Sequence, residues 1–207
     1  MDVAAVLDVL RQAVPDAALD VAAESTDMPT VRVDREHLVD VCRTLRNHPQ
    51  LQFAFLAEVT ATDYLPVEPR FELVYHLACL GPAYAVPEAG GAPVDRPARL
   101  RLKTRAPGDD AWVPTITSVW PAANWLEREV FDLFGVTFGG HPDLRRVLMP
   151  EDWEGYPLRK DYPVQINRET PAWSPLQVSA EEFAASVRAR QEMARHQAGA
   201  RRRDDGG

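Results

Sequence analysis

The sequence predicts an α+β fold: a mixed or antiparallel sheet with helices packed on one face, followed by an extended C-terminal arm. Three observations carry this expectation. Strand-like alternation recurs in neighbouring segments joined by Pro- and Gly-bearing links. Helix-spaced apolar residues precede, interrupt and follow those strands. After Gly135 the periodicity stops while prolines and aromatic residues continue.

Val3, Val6, Leu7 and Leu10 recur at helical spacing, and Pro15 stops the helix. Residues 18–23 and 30–33 alternate locally and read as short strands around a polar turn. Asp34 is placed to cap a second helix, whose apolar stripe is Leu38, Val41, Cys42 and Leu45; Asn47-His48-Pro49 ends it. Residues 52–62 and 70–80 are the two strongest strands, with Phe53, Phe55, Ala57 and Val59 alternating in one and Phe71, Leu73, Tyr75 and Leu77 in the other. The link between them holds two prolines, which suits a hairpin loop. A Gly/Pro/Ala-rich surface excursion follows, then a third strand over 98–105. A helix over 122–134 puts Leu126, Val130, Leu133 and Phe134 on its core face. The expected organisation is a body over 1–135, an extended partner-binding arm over 136–178, a helix over 179–200 opened by a Ser179–Glu182 capping box, and a frayed tail over 201–207.

Composition removes several function classes. A net charge of −8 argues against a general nucleic-acid or anionic-membrane binder, because phosphate-rich partners select a basic surface. There is no apolar run near the ~20 residues needed to span a bilayer, and Met1-Asp2-Val3-Ala4 lacks the basic start of a secretion signal. A soluble chain on the cytoplasmic side is therefore expected, able to dock on a membrane complex. Cys42 and Cys79 form no C-x-x-C pair, which argues against a disulfide framework, a Cys-rich zinc site or a Cys-ligated iron–sulfur cluster. No G-x-G-x-x-G or Walker loop is present, so neither motif supports a nucleotide site. His37, His48, His76 and His196 share no ligand spacing with His141.

The charged residues near the helix over 122–134 are better read as architecture. Trp125, Glu129 and Asp132 line one stripe, with Arg128 and Asp132 at i,i+4 spacing. Glu129 and Asp132 are placed to receive a guanidinium from Arg145 or Arg146 and so tie the arm to the body. Gly139-Gly140-His141-Pro142-Asp143 reads as an anchored turn. Trp153, Tyr156, Tyr162 and Trp173 interleave with Arg159-Lys160, the composition of a buried interface centre, so a partner protein is the expected destination.

At this point a family resemblance becomes specific. Glu127-Arg128-Glu129, Asp132-Leu133-Phe134-Gly135, His141-Pro142-Asp143-Leu144-Arg145-Arg146 and the run from Glu151-Asp152-Trp153 through Gly155-Tyr156-Pro157-Leu158-Arg159-Lys160-Asp161-Tyr162-Pro163 together resemble the signature of the C subunit of respiratory complex I. That family is the small hydrophilic subunit of the proton-translocating NADH:quinone oxidoreductase. The resemblance covers residues 125–163 closely, and the N-terminal half only in its order of elements. It implies a non-catalytic structural subunit of the peripheral arm, on the cytoplasmic side of the bacterial inner membrane. The implied chief partner is the D subunit of complex I, the large subunit of the quinone module, with other peripheral-arm subunits beside it; the membrane is reached only through the complex. It also implies that FMN, iron–sulfur clusters, NADH and quinone are handled by other subunits, with no cofactor on this chain. Two rivals stand beside this reading. One is the equivalent subunit of a membrane-bound hydrogenase-like complex. The other is a free-standing hydrolase using Glu127 or Glu129 with His141.

Overall fold

The computed structural model describes residues 3–22, 25, 27–84, 86–90, 97–163, 179, 181–185 and 187–188. Helix α1 (Val3–Ala13) buries Val6, Leu7 and Leu10, the i, i+1, i+4 face expected of an amphipathic helix. Two short strands follow, β1 (Leu19–Val21) and β2 (Thr30–Val33), paired antiparallel. A single 3₁₀ turn over Arg35–His37 then leads into α2 (Leu38–Asn47), which buries Leu38, Val41, Cys42 and Leu45. Asp34 does not cap this helix as expected from the sequence. Its carboxylate is used elsewhere, accepting from Ala18 N–H at 2.7 Å and contacting the His37 ring, so it fastens the approach to β1.

The meander is β3 (Phe55–Asp63), β4 (Phe71–Cys79) and β5 (Ala98–Ala106). With β1 and β2 it makes a five-stranded sheet of order β1-β2-β5-β4-β3, antiparallel except where β2 runs parallel to β5. The mixed α+β sheet predicted from the pattern is the one observed. On the inner face of β4, Phe71, Leu73, Tyr75, Leu77 and Cys79 pack into one core with β5, α1, α2 and part of helix α3 (Ala123–Phe134). The opposite face carries charge: Glu72, itself buried, is bracketed by Lys103 at 2.7 Å and Arg105 at 2.9 Å.

Two details of β3 depart from the sequence pattern. The strand begins at Phe55 because Gln52 adopts φ +46, outside extended backbone. A register shift between Leu56 and Glu58 then changes the phase of the strand. Leu56 and Val59 are buried while Phe55 is 49% exposed, so the alternation from Phe53 through Val59 is broken by a bulge.

The larger difference lies after α3. Strands β6 (Trp112–Pro114) and β7 (Thr137–Gly139) form a parallel two-stranded sheet, with Val113 opposite Phe138. Both are too short to leave a periodic signature, and β7 lies where the arm was expected to begin. Residues 140–163 also pack back, and the first compact unit runs from Met1 to Pro163. The body boundary expected at 135 is thus displaced to 163. Charged side chains hold this segment down in place of regular pairing. Residues 164–178 and 189–207 lie outside the described residues. In the second unit the capping box is formed: Ser179 Oγ accepts from Glu182 N–H at 3.1 Å, and Ser179 N–H donates to Glu182 Oε2 at 3.0 Å.

Candidate functional site

Helix α3 ends at Gly135, which takes the left-handed conformation at φ +71 and donates N–H to Phe131 O. Around this helix the segment 136–163 is laid out in three ties. The first is at the N-terminal half of α3. Glu127 is completely buried, with Oε1 accepting from Ile116 N–H at 2.8 Å and Oε2 2.5 Å from Thr115 Oγ1. Burial pushes its carboxyl up to about 7 against the pull of those two partners. The His141 imidazole is equally enclosed, 3.9 Å from Glu127; its Nδ1 accepts from Asp143 N–H and its Nε2 faces Asn124 O at 3.1 Å.

The second tie is at the middle of α3. Asp132 is buried, and its Oδ2 accepts three successive backbone N–H groups: Val147 at 3.0 Å, Leu148 at 2.7 Å and Met149 at 2.9 Å. Its Oδ1 accepts from Arg146 at 2.7 Å. Burial pushes this carboxyl up, but the three amides and the guanidinium outweigh it and hold the group below the usual carboxylate range. Arg146 also donates to the carbonyls of Asp132, Trp153 and Gly155, and lies over the Tyr156 ring. Arg128 donates to the carbonyls of Arg145 and Arg146 while its guanidinium lies 4.7 Å from the Trp125 ring centroid.

The third tie joins the end of the segment to the sheet. Arg159 donates to the carbonyls of Phe134 and Gly135 and stacks on Tyr156 at 4.5 Å. Leu158 N–H donates to Leu133 O. Asp63, at the end of β3, accepts Lys160 N–H at 2.8 Å and a forked pair from Arg70 at 2.7 and 2.9 Å. Arg70 in turn reaches Asp161 at 2.8 Å. The Arg70 guanidinium holds both Asp63 and Asp161 below the ordinary carboxylate range. Trp153 and Tyr162 stack at 6.4 Å, with Gly155 (φ +77) beneath the Tyr162 ring.

Several expectations need correction. Glu127, Arg128 and Asp132 are buried, while Leu126 and Leu133 are only half-buried. The packed-back segment covers the polar side of α3, so a helical wheel that sends charge to solvent misplaces it. Arg128 does not pair with Asp132, because it is drawn to two backbone carbonyls. Glu129 is exposed and takes no part in the tie; Arg145 pairs instead with its neighbour Asp143 at 2.9 Å. Trp125, Glu129 and Asp132 therefore do not act as one buried stripe. Pro142, Asp143, Lys160 and Asp161 are exposed, and Trp153, Tyr156, Arg159 and Tyr162 are half-buried. Of the hydrolase candidates, Glu127 and His141 come within 3.9 Å of each other but are closed off from solvent, and Glu129 is on the surface. Sequence reasoning misses Asp63 and Arg70 altogether. Their partners lie up to 97 positions away, so no local spacing betrays them. Among the described residues no group of three His, Cys, Asp or Glu side chains is placed to hold a metal ion.

With this geometry in hand, the likeness to known proteins becomes specific. The family model described as "Respiratory-chain NADH dehydrogenase, 30 Kd subunit" matches residues 31–168, which contain all three ties. The chain belongs to this family. Its curated relatives include the NADH-quinone oxidoreductase C subunit of Roseiflexus sp. (strain RS-1), 46% identical over 79% of this chain and 86% of the relative. The same subunit of Geobacter sulfurreducens is 50% identical over 66% of this chain and 75% of the relative. Among solved structures, a chain of the membrane-bound sulfane sulfur reductase, an archaeal respiratory membrane complex, aligns with TM-score 0.59 at 28% identity, covering 78% of this chain and 85% of that one. The family is thus that of the NADH-quinone oxidoreductase C subunit, one component of an oxidoreductase complex. Among the described residues no helix is long and apolar enough to cross a membrane.

Proposed function

We propose that the segment 136–163, held against the body by its three ties, is the docking surface for the D subunit of the same oxidoreductase, the large subunit of its quinone module. The chain then contributes to NADH:quinone turnover by assembly and positioning, and has no activity by itself. One observation carries this reading. Trp125, Leu148 and Leu158 are 64%, 60% and 52% exposed on or beside α3 and the segment, although the surrounding charges are satisfied internally. Large apolar groups on a pinned backbone are what a stable interface uses as anchors. On this reading flavin, iron–sulfur clusters, NADH and quinone belong to other subunits, other peripheral-arm subunits flank the chain, and it sits on the cytoplasmic side of the bacterial inner membrane, attached only through the complex. The net charge of −8 agrees with a protein partner rather than nucleic acid.

The test is co-purification of the tagged chain with its complex from cells. Leu148→Glu together with Leu158→Glu should reduce recovery of the D subunit at least tenfold while the purified variant keeps its thermal midpoint. Phe55→Glu, on the sheet, should leave recovery intact. Normal recovery with both leucines replaced would refute the docking surface. The likeness to an archaeal respiratory membrane complex favours one second reading, the equivalent subunit in a hydrogenase-like machine without an NADH module. Co-purifying subunits, with or without an NADH-binding one, separate the two.

A further inference from the structure

Among the described residues, Glu127 differs from the other buried carboxylates in lacking an Arg or Lys partner. Asp63 is forked by Arg70, Glu72 is bracketed by Lys103 and Arg105, and Asp132 is held by Arg146. Around Glu127 the described residues present backbone N–H, hydroxyl and imidazole groups. The loop after β6 supplies Ile116 N–H and the Thr115 hydroxyl. The turn after β7 supplies His141, but that ring receives Asp143 N–H on Nδ1, so its own N–H is on Nε2 and faces Asn124 O. From β4 and α2 the titratable groups nearby are Tyr75 and Cys42, both buried and pushed up, first by burial and then by the Glu127 charge. Tyr75 Oη itself has no hydrogen-bond partner among the described residues.

The hydroxyls beside Glu127 can serve either protonation state. Thr115 Oγ1 lies 3.0 Å from Thr117 Oγ1 and accepts Thr117 N–H at 3.2 Å. With Glu127 ionised, Thr115 O–H donates to the carboxylate and Thr117 O–H donates to Thr115. With Glu127 protonated, its O–H donates to Thr115, whose proton turns to Thr117. Two hydroxyl rotations accompany one proton, and no heavy atom has to move.

We propose that Glu127 is a reversible proton-binding site, and that its occupancy sets how tightly the 115–117 loop and the His141 turn hold to α3. Because the carboxyl is carried up to about 7 by burial, exchange falls in the neutral range. The folded chain keeps a proton that the unfolded chain releases above 4.5. The stabilisation from Glu127 is therefore complete below that value and is lost as pH rises through about 7. Above that, a bare charge remains at the root of the packed-back segment. The site is independent of the docking reading, since it belongs to the isolated fold.

Two experiments on the full chain decide it. In urea titrations from pH 5 to 8, the unfolding constant of wild type divided by that of Glu127→Gln should rise up to about tenfold per pH unit below 7, then level off. Gln can donate to Thr115 and accept from Ile116, so the variant imitates the protonated state. His37, raised chiefly by its hydrogen bond to Asp34, and His76, lowered chiefly by burial, titrate in both proteins and cancel in the ratio. A ratio flat with pH would overturn the proposal. The second measurement needs no variant: infrared spectra of wild type at pH 6 should contain a protonated-carboxyl C=O band that disappears by pH 9. Hydrogen exchange, corrected for intrinsic rate, should then quicken in 115–117 and 139–143 over the same range. Absence of the band, or exchange in those segments indifferent to pH, would equally overturn it.

Discussion

Replacing Asp132 with Asn tests whether the middle tie holds the segment 140–149 in place. The carboxylate is buried and engages four donors, three of them consecutive backbone N–H groups on one oxygen. Asn has one acceptor oxygen and one NH₂ group. Pointed one way, its NH₂ opposes the amides of Val147, Leu148 and Met149; flipped, it opposes Arg146. Either orientation leaves buried donors without an acceptor, at about 1–3 kcal/mol each, and removes the charge that strengthened the remaining bonds. Breaking a buried ion pair from one side costs ~3–5 kcal/mol by an independent route. We expect Asp132→Asn to lose ~3–5 kcal/mol, which for a chain of this size lowers the thermal midpoint by roughly 10 °C. Urea titration should show the midpoint displaced with little change in slope. Arg146→Ala should cost a similar amount, and the double variant less than the sum, because both remove one tie. The exposed Glu129→Gln should remain within about 0.5 kcal/mol of wild type. If Asp132→Asn and Arg146→Ala both stay inside that margin, the carboxylate does not hold the segment and the tie is decorative.

Gly135→Ala should destabilise by at least ~2 kcal/mol, since φ is +71 there and an added Cβ would run into the Tyr156 ring and Arg159 Nη2; thermal melting checks it. Acid should unfold the chain through Asp63, Asp132 and Asp161: each folded pKa is depressed, so the stability they supply is present above about pH 4 and is lost as pH falls below it. Arg70→Ala should flatten the part of that acid limb due to Asp63 and Asp161, seen as a smaller difference between pH 5 and pH 3 in urea midpoints. The purified chain should be colourless and should not oxidise NADH; stoichiometric flavin or iron in a washed preparation would contradict the proposed division of labour.

The sheet was legible because its strands are long enough to show their period. Phe71, Leu73, Tyr75, Leu77 and Cys79 recur at every second position of β4, and Leu100 and Leu102 repeat the pattern. The helices α1 and α2 were legible for the same reason, from Val6, Leu7 and Leu10 and from Leu38, Val41 and Leu45. The bulge after Leu56 was not, since one inserted residue reverses the phase without altering composition. Three-residue strands such as Thr137–Gly139 contain less than two full periods, so β7 could not be told from a loop. In the site, the pairing of the acidic helix with the arginine doublet had a readable basis in charge and chain length. Which members pair did not: Arg145 and Arg146 are adjacent, and only the fold decides that Arg146 turns inward. Asp63 and Arg70 flank a hairpin and look like turn residues until Asp161 is brought beside them.

The charged residues of the family signature mostly meet backbone rather than each other. Arg128, Arg146 and Arg159 donate to seven carbonyls between them. Asp132 accepts three amides, and Glu127, Asp63 and their neighbours accept more. A segment without helix or ladder has to satisfy its N–H and C=O groups in some other way once it is packed against a body. Here guanidinium forks and carboxylates replace the missing ladder, with a geometry that Lys or Asn could not reproduce. This makes a run of Gly, Pro and charge, which reads as an unstructured arm, into backbone pinned at intervals along α3. It also accounts for the exposure of Leu148 and Leu158: the segment is held by polar contacts, so its packing does not require their burial.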